Sequence, residues 1–508
     1  MVTRIGGLAS GMDIDTLVSD LMKAERIPLD KLTQKKQILE WQRDDYRSMN
    51  TLLSDFDKYI FDNMTLQKDF LKKTVTSTMS DAVTATANTA AGNVSTSISV
   101  SQLATSANWV SDTSSYTASS TDTEIELQVT NGDGTVKDVK LTIKAGATLE
   151  DVLKQLSSNK DLGVTAFAEN GKVVLSKNDT GANASIKLMD TDALDLFKSL
   201  GFPTDSIDPT TKELAPTTAG TDAKFNINGL ETTRSSNTFT INNVNYTLND
   251  VTDGKTARIS VATDTDNMVD KIVQFVNKYN EMIEKINGEI SETRYRSYQP
   301  LSNEEKESMT DKQIELWEDK AKSGLLKNDS ILSGALTKMR TSMYSPYNGT
   351  GANSELNQLA QIGITTSSNF RDNGKLTIDE TKLRAAIEKD PEAVFQLFSG
   401  STKVTTTGAD GTTTTKNSTV SSEMGITNRL RSIISETVKS IEEKAGKATS
   451  TNQQFSIGRN IVDIDSQITR FEARLLQIED RYWRQFTAME KAIQQANSQS
   501  TYLMQQFA

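Results

Sequence analysis

From Ile461 onward, apolar residues fall at Ile464, Ile468, Phe471, Leu475, Ile478, Tyr482, Phe486, Met489, Ile493, Ala496, Leu503 and Phe507, mostly in alternating steps of three and four. That spacing is the seam of a coiled coil. Two successive steps of four, from Ile478 through Tyr482 to Phe486, form a stutter at which the seam locally unwinds. As one helix, residues 461–507 measure about 70 Å at 1.5 Å per residue. No globular core needs a helix that long. Its apolar edge requires a partner, either a second long helix or a neighbouring molecule.

The other end carries a less regular stripe. Ile14, Leu17, Val18, Leu21 and Met22 follow Asp13, an N-cap candidate. Pro28 is expected to interrupt the stripe, which Leu32, Leu39, Tyr46, Met49, Leu53, Phe56 and Ile60 resume. Two internal segments share the helical period: Val269, Ile272, Val276, Tyr279, Ile283, Ile286 and Ile290, then Ile426, Leu430, Ile433, Ile434, Val438 and Ile441. With residues 46–64 they can form a bundle. Its members lie far apart in sequence, so the chain must leave the bundle and return.

Between residues 75 and 262 the pattern changes to β. Alternating runs occur at 94–100, 125–129, 139–143, 173–175, 225–227, 239–248 and 258–261. Asn131-Gly132-Asp133-Gly134 and Asn170-Gly171 are hairpin turns, because Asn and Gly tolerate positive φ. Leu149, Val152, Leu153 and Leu156 mark a helix among the strands. One or two small β-rich domains are expected, split near residues 103–106 and 219–222, with the outer inserted in the inner. Further on, residues 362–366 and 375–378 flank Arg371-Asp372-Asn373-Gly374 as a hairpin. Asp379 then caps a helix bearing Leu383, Ile387, Val394, Leu397 and Phe398. A Thr-rich tract at 405–407 and 412–415, around Gly408 and Gly411, favours a mobile loop, with a β-hairpin as the alternative.

Composition removes most catalytic outfits. The 508 residues contain no cysteine and no histidine. No Ser-His-Asp or Cys-His pair, disulfide, Cys/His zinc site, haem or iron–sulfur centre can be built. Carboxylate-pair, Ser-Lys and oxygen-ligated Ca or Mg chemistry survive. The formal charge of −11 gives no bulk reason to bind nucleic acid. No apolar signal region opens the sequence, and no run approaches the roughly 20 apolar residues of a membrane span. Gly446-Lys447 lacks the rest of a P-loop. Asp133-Gly134 and Asp410-Gly411 lack the upstream carboxylate of an EF-hand and read as turns. The acidic pairs Asp13/Asp15, Asp44/Asp45 and Glu304/Glu305 sit on helices or their starts and read as capping or solvated carboxylates.

The two ends carry a resemblance. Arg4-Ile5-Gly6-Gly7-Leu8-Ala9-Ser10-Gly11-Met12-Asp13-Ile14-Asp15, with Leu21-Met22-Lys23-Ala24-Glu25 and Pro28-Leu29, resembles the start of the bacterial flagellar filament cap proteins, the FliD family of hook-associated proteins. Gln485-Phe486-Thr487-Ala488-Met489-Glu490, Asn497-Ser498-Gln499-Ser500 and Tyr502-Leu503 resemble its end. Ser99-Val100-Ser101-Gln102-Leu103-Ala104, Phe225-Asn226-Ile227-Asn228-Gly229, Gly324-Leu325-Leu326 with Asp329, and Asp390-Pro391-Glu392 match between. Residues 291–320, with Tyr298-Gln299-Pro300-Leu301 and Trp317, look like an insertion confined to part of the family.

The resemblance implies a non-enzymatic, cofactor-free cap at the distal filament tip that retains exported flagellin and promotes its folding and polymerisation. Its implied partners are copies of itself, expected as a pentamer, flagellin, the flagellar export apparatus and an export chaperone. Nucleic acid and membrane insertion are not expected. It also implies extracellular residence after export as an unfolded chain, with no cleaved signal peptide. The fold class expected is multidomain α+β: long terminal coiled-coil helices, a helical bundle and one or two inserted β-rich head domains. The expected division is a leg (1–45 and 455–508), a bundle (46–74 and 263–454, including the hairpin and Thr-rich loop), an inner head (75–105 and 220–262) and an outer head (106–219). The assembly interface expected on the terminal helices is Ile14, Leu17, Leu21, Ile461, Ile464, Ile468, Phe471, Leu475, Ile478, Tyr482, Phe486, Met489, Ile493 and Leu503. The alternative function is a surface adhesin whose β-rich head binds host glycans or mucus. A carboxylate-pair glycosidase in the head is the least favoured reading.

Overall fold

The structure is a computed structural model describing residues 11–369, 372–407 and 412–507. The motif at residues 4–10, Arg371, residues 408–411 and the Phe507 side chain lie outside the described residues. Elements are numbered in chain order. Helix α1, Ile14–Met64, is 51 residues long and is capped by Asp13, whose carboxylate accepts the Thr16 N–H at 3.0 Å. Pro28 lies inside α1 and does not break it, contrary to the expectation from sequence. A mid-helix proline deprives the carbonyl four residues back of its donor and costs about 3 kcal/mol. Tertiary contacts made on both sides of the ring by Glu25 and Lys36 hold the helix together across it.

After the short α2, Gln67–Phe70, the chain enters the compact unit Leu71–Asp264. Its inner lobe consists of β1 Lys73–Ser77, β2 Val83–Ala87 and β3 Val94–Gln102, joined later by β10 Ala223–Ile227, β11 Leu230–Arg234, β12 Thr238–Ile241, β13 Val244–Leu248 and β14 Ala257–Thr263. These form sheets of order β1-β14-β3-β10-β11 and β12-β13-β2, with antiparallel neighbours throughout. Their facing side chains, among them Ile98, Phe225, Phe239, Tyr246 and Ile259, make one core. The run 239–248 is two strands rather than one, turned at Asn242 and Asn243, which both adopt positive φ.

The outer lobe holds β4 Asn108–Thr113, β5 Thr123–Thr130, β6 Val136–Ile143, α3 Leu149–Ser158, β7 Val164–Glu169, β8 Lys172–Lys177, β9 Ser185–Leu188 and α4 Thr191–Ser199. Sheets β4-β8-β7 and β6-β5-β9 enclose a separate core around Trp109. The Trp109 indole N–H donates to the Leu214 carbonyl at 2.8 Å. Both predicted Asn-Gly turns are present between β5 and β6 and between β7 and β8. The two crossings between lobes meet at a Thr105–Thr221 bridge. Beside it three glycines allow backbones to touch. A Cβ on Gly181 would lie 2.5 Å from the Gly132 carbonyl oxygen, and one on Gly220 would lie 2.2 Å from that of Gly181.

The residues before and after this β unit form the second compact unit. Its remaining elements are α5 Thr265–Ser291, α6 Asn303–Glu307, α7 Asp311–Lys322, α8 Ser330–Tyr344, the hairpin β15 Ile364–Thr366 and β16 Leu376–Ile378, α9 Glu380–Lys389, α10 Pro391–Ser399, the hairpin β17 Lys403–Thr407 and β18 Thr413–Asn417, α11 Ile426–Ala445 and α12 Ser456–Phe507. Apolar faces of α1, α5, α8 and α11 meet in a bundle. Phe56 stacks on Phe275 at 6.0 Å, and Phe275 meets Phe398 edge-on at 5.7 Å. The helix expected from Asp379 is two helices, because Pro391 ends the first and starts the second with Asp390 as its cap. The Thr-rich tract pairs as a hairpin, where composition favoured a loop. β-Branched threonines suit extended backbone even with both faces exposed.

Candidate assembly surface

Helices α1 and α12 lie antiparallel along each other. The Tyr482 hydroxyl donates to Glu25 at 3.0 Å, Lys36 pairs with Asp465 at 2.7 Å, and the Arg47 guanidinium sits 5.4 Å from the Phe455 ring centre. The numbers rise on one helix as they fall on the other. At the far end Ile14, Val18 and Met22 close on Leu475, Ile478 and Trp483, with Leu29, Phe471, Tyr482 and Phe486 at the margins. Burial of such side chains is worth about 1.5–3 kcal/mol each. This gain offsets the ordering cost of a helix pair that has no other core beneath it.

The structure therefore brings many of the expected assembly residues together inside one chain. Ile14, Ile461, Ile464, Leu475 and Ile478 are buried. Ile468, Phe471, Tyr482, Phe486, Met489 and Ile493 are half-buried. Leu17, Leu21 and Leu503 remain exposed, at 39%, 38% and 53% of their surface, and so does Leu476 at 68%. Leu17 and Leu21, one turn apart, lie off the buried face of α1. At the stutter the buried position moves by one residue: Trp483 is buried, whereas Tyr482 stays half-buried with its hydroxyl on Glu25. Trp483 was not among the expected seam residues, although the two steps of four around it were the signal.

Where the two-helix leg runs into the bundle, polar groups join several helices. The buried Asp329 carboxylate caps α8, accepting the Ile331 and Leu332 N–H groups at 3.0 Å each. It also accepts the Tyr46 hydroxyl of α1 in a short bond and the Lys444 ammonium of α11 at 3.1 Å. Burial alone would raise its pKa, but the bond from Tyr46, the cap and Lys444 outweigh it and hold the carboxyl below its ordinary range. The Lys444 ammonium lies 4.6 Å from the Tyr46 ring centre. Arg431 of α11 grips Asp57 of α1 through two bonds, 2.8 and 3.3 Å long. Nearby, Asp45 is raised to about 6 by burial and by the like charges of Glu289, Glu292 and Asp44, against the relief given by Lys322.

Residues 291–320, read as an insertion, supply α6 and α7. Their aromatic residues pack on one another, with Tyr298 and Trp317 at 4.6 Å and the Trp317 N–H on the Gln299 carbonyl at 2.8 Å. Among the described residues no group of three or more acidic side chains is placed to hold a metal, and no helix is long and apolar enough to cross a membrane.

Over most of its length the fold is similar to that of a crystallised flagellar cap protein, the FliD D1-D2-D3 domains of Escherichia coli. That chain superposes with a TM-score of 0.56 at 22% identity, over 83% of this chain and 99% of its own. Residues 10–107 match the model of the flagellar hook-associated protein 2 N-terminus, and residues 220–498 match that of its C-terminus. Flagellar hook-associated protein 2 of Halalkalibacterium halodurans is 35% identical over 541 aligned positions, covering 99% of both chains. The A-type protein of Pseudomonas aeruginosa is 28% identical over 99% of this chain and 97% of its own. The chain is a structural component of the bacterial flagellum. It belongs to the flagellar hook-associated protein 2 family, the filament cap proteins, which is a structural family and not one of enzymes. None of these descriptions speaks of adhesion.

Proposed function

We propose that this chain, as an oligomer of its own copies at the distal filament tip, retains exported flagellin beneath it and promotes its folding and polymerisation. The leg, residues 1–45 with 455–508, contacts neighbouring copies and flagellin. The bundle, 46–74 with 263–454, forms the body. The inner (75–105 and 220–262) and outer (106–219) head lobes form a plate, with five copies as the expected ring. Export through the flagellar apparatus, accompanied by a chaperone, brings the chain there.

The observation that carries this reading is the division of the leg's apolar surface. One face is sealed by α1 against α12, while Leu17, Leu21, Leu476 and Leu503 stay exposed. Isolated exposed leucines need no explanation, but such residues on both members of one helix pair suit contact with further helices. Deleting residues 461–508 removes the partner of α1. A cap-null strain carrying this variant is expected to secrete flagellin as monomer and to lack filaments by electron microscopy. Filaments of normal length from that variant would sink the reading.

A further inference from the structure

Strand β8 of the outer lobe alternates its side chains, and its inward positions are Val173, Leu175 and Lys177. The third is a lysine where the pattern calls for an apolar residue. Its side chain is 1% exposed. The Lys177 ammonium donates to the Leu162 carbonyl and to the Asn131 side-chain oxygen, both at 2.9 Å, and pairs with the Asp179 carboxylate at 3.4 Å. Burial pushes its pKa down and Lys137 acts in the same sense, while Asp179 and Asp133 oppose them without cancelling the shift. A lysine held in this way gives up its proton more readily than one in water, and the free amine is a nucleophile. Residue 163 is glycine, which leaves room for the ammonium: a Cβ there would lie 3.1 Å from Nζ.

Asn131 follows β5, in the sheet β6-β5-β9, whereas Lys177 ends β8, in the sheet β4-β8-β7. The two sheets are separate hydrogen-bonded ladders, and the contact between Nζ and Oδ1 crosses from one to the other over 46 positions of sequence. The Asn131 amide carbon lies one C=O bond, about 1.2 Å, behind that oxygen. Nζ therefore stands at most about 4.1 Å from the carbon, close to the approach distance of about 3–3.5 Å for a reacting pair. The other nitrogen placed to attack the same carbon is the Gly132 backbone N–H, by which an Asn-Gly pair closes to a succinimide. That N–H is engaged elsewhere, donating to Asp179 at 2.5 Å. One carboxylate thus touches the lysine and occupies its competitor.

We propose that Lys177 and Asn131 form an intramolecular isopeptide bond, with Asp179 as the proton carrier. Asp179 takes a proton from the ammonium, and the freed amine attacks the Asn131 side-chain carbon, forming the bond between Nζ and Cγ. Asp179 passes that proton, and then the second one that Nζ sheds, to the amide nitrogen. The bond between Cγ and Nδ2 breaks and ammonium leaves. Asp179 ends as the carboxylate it began as, one amide has replaced another, and no oxidant or further reactant is needed. The product staples the two sheets of the outer lobe in a chain that has no cysteine for a disulfide. Closing a loop across 46 positions restricts the unfolded chain as a disulfide does.

Mass spectrometry of the purified full-length chain tests this. The parent is expected to be lighter than its sequence by one ammonia, and its tryptic digest to contain a branched peptide joining Asn131 to Lys177. Lys177→Arg keeps the cation and should restore the full mass, as should Asn131→Ala. Asp179→Asn removes the proton carrier and should leave most of the chain at full mass. Ammonia lost through a succinimide at Asn131-Gly132 would survive Lys177→Arg and give no branch. The branched peptide is read in the parent itself, so the outcome does not depend on the variants folding. A parent at full sequence mass, or an ammonia loss that persists in Lys177→Arg, would overturn the bond. Equal yields of the branched peptide from the parent and from Asp179→Asn would overturn the role of Asp179.

Discussion

Removing the Asp329 carboxylate should loosen three helices at once. In Asp329→Ala, α8 loses its cap bonds to Ile331 and Leu332, worth about 1 kcal/mol. The buried Tyr46 hydroxyl loses its acceptor, and a buried donor left unpaired costs about 1–3 kcal/mol. Lys444 is partly exposed and turns to solvent, so its loss is held to about 0.5 kcal/mol. The sum is about 3 kcal/mol. Asp329→Asn keeps the cap and an acceptor for Tyr46 and loses only the charge, for about 1 kcal/mol. Hydrogen exchange of the α8 amides, followed by mass spectrometry in the full chain, reads these differences locally. It avoids fitting one unfolding transition to a chain with several cores. Three kcal/mol corresponds to about a hundredfold loss of protection. Equal losses in the Asn and Ala variants would mean that charge, not capping, dominates. A loss under about threefold in Asp329→Ala would refute the junction as a keystone.

Three other outcomes follow from particular contacts. Trp483→Ala should cost the tip core about 3 kcal/mol, so that peptides covering Ile14–Met22 lose protection while those of α8 keep it. Asp45 binds its proton more tightly folded, at about 6, than unfolded, near 4, so it lowers stability progressively as pH rises through that window. Asp45→Asn should therefore stabilise the surrounding helices by about 1 kcal/mol at pH 7.5, once partial exposure is discounted, and leave them unchanged at pH 4, as read by hydrogen exchange of α1 amides near residue 45. Gly181→Ala forces a Cβ to within 2.5 Å of the Gly132 carbonyl oxygen at a residue whose φ is +126°. It should cost about 3 kcal/mol and expose the crossing between the head lobes to limited proteolysis.

The helices of the stem were legible because their apolar residues repeat every three or four positions over many turns, and α5, α11 and α12 appear where that repeat runs. Proline read in isolation misled twice, in opposite directions. At Pro28 packing carried the helix through, whereas at Pro391 an aspartate already in capping position made the break. In the head the strands with buried faces were readable by alternation, but β11 was not: its residues are mostly exposed, so nothing selects an apolar period. Of the candidate surface, the seam residues were readable and their partner was not. A heptad stripe states that something must cover it. Only the paired contacts Glu25–Tyr482 and Lys36–Asp465 identify the cover as the other end of the same chain.

The Tyr482–Glu25 bond joins residues 457 positions apart. Any process that delivers the chain from its first residue to its last must therefore present α1 long before α12 exists to meet it. The head lobes pair only strands between Lys73 and Thr263, all made before α12, so their cores can form while the N-terminal half of α1 still waits. Loop closure across a folded insert costs far less than across the same length of random coil, because the ends of that insert, β1 and β14, already lie side by side. In such a delivery the pairing of α1 with α12 comes last and serves as a check on completeness. A chain cut short by a tenth would carry finished lobes and an N-terminal half of α1 with no partner, visible to proteases and unable to pass as a whole molecule.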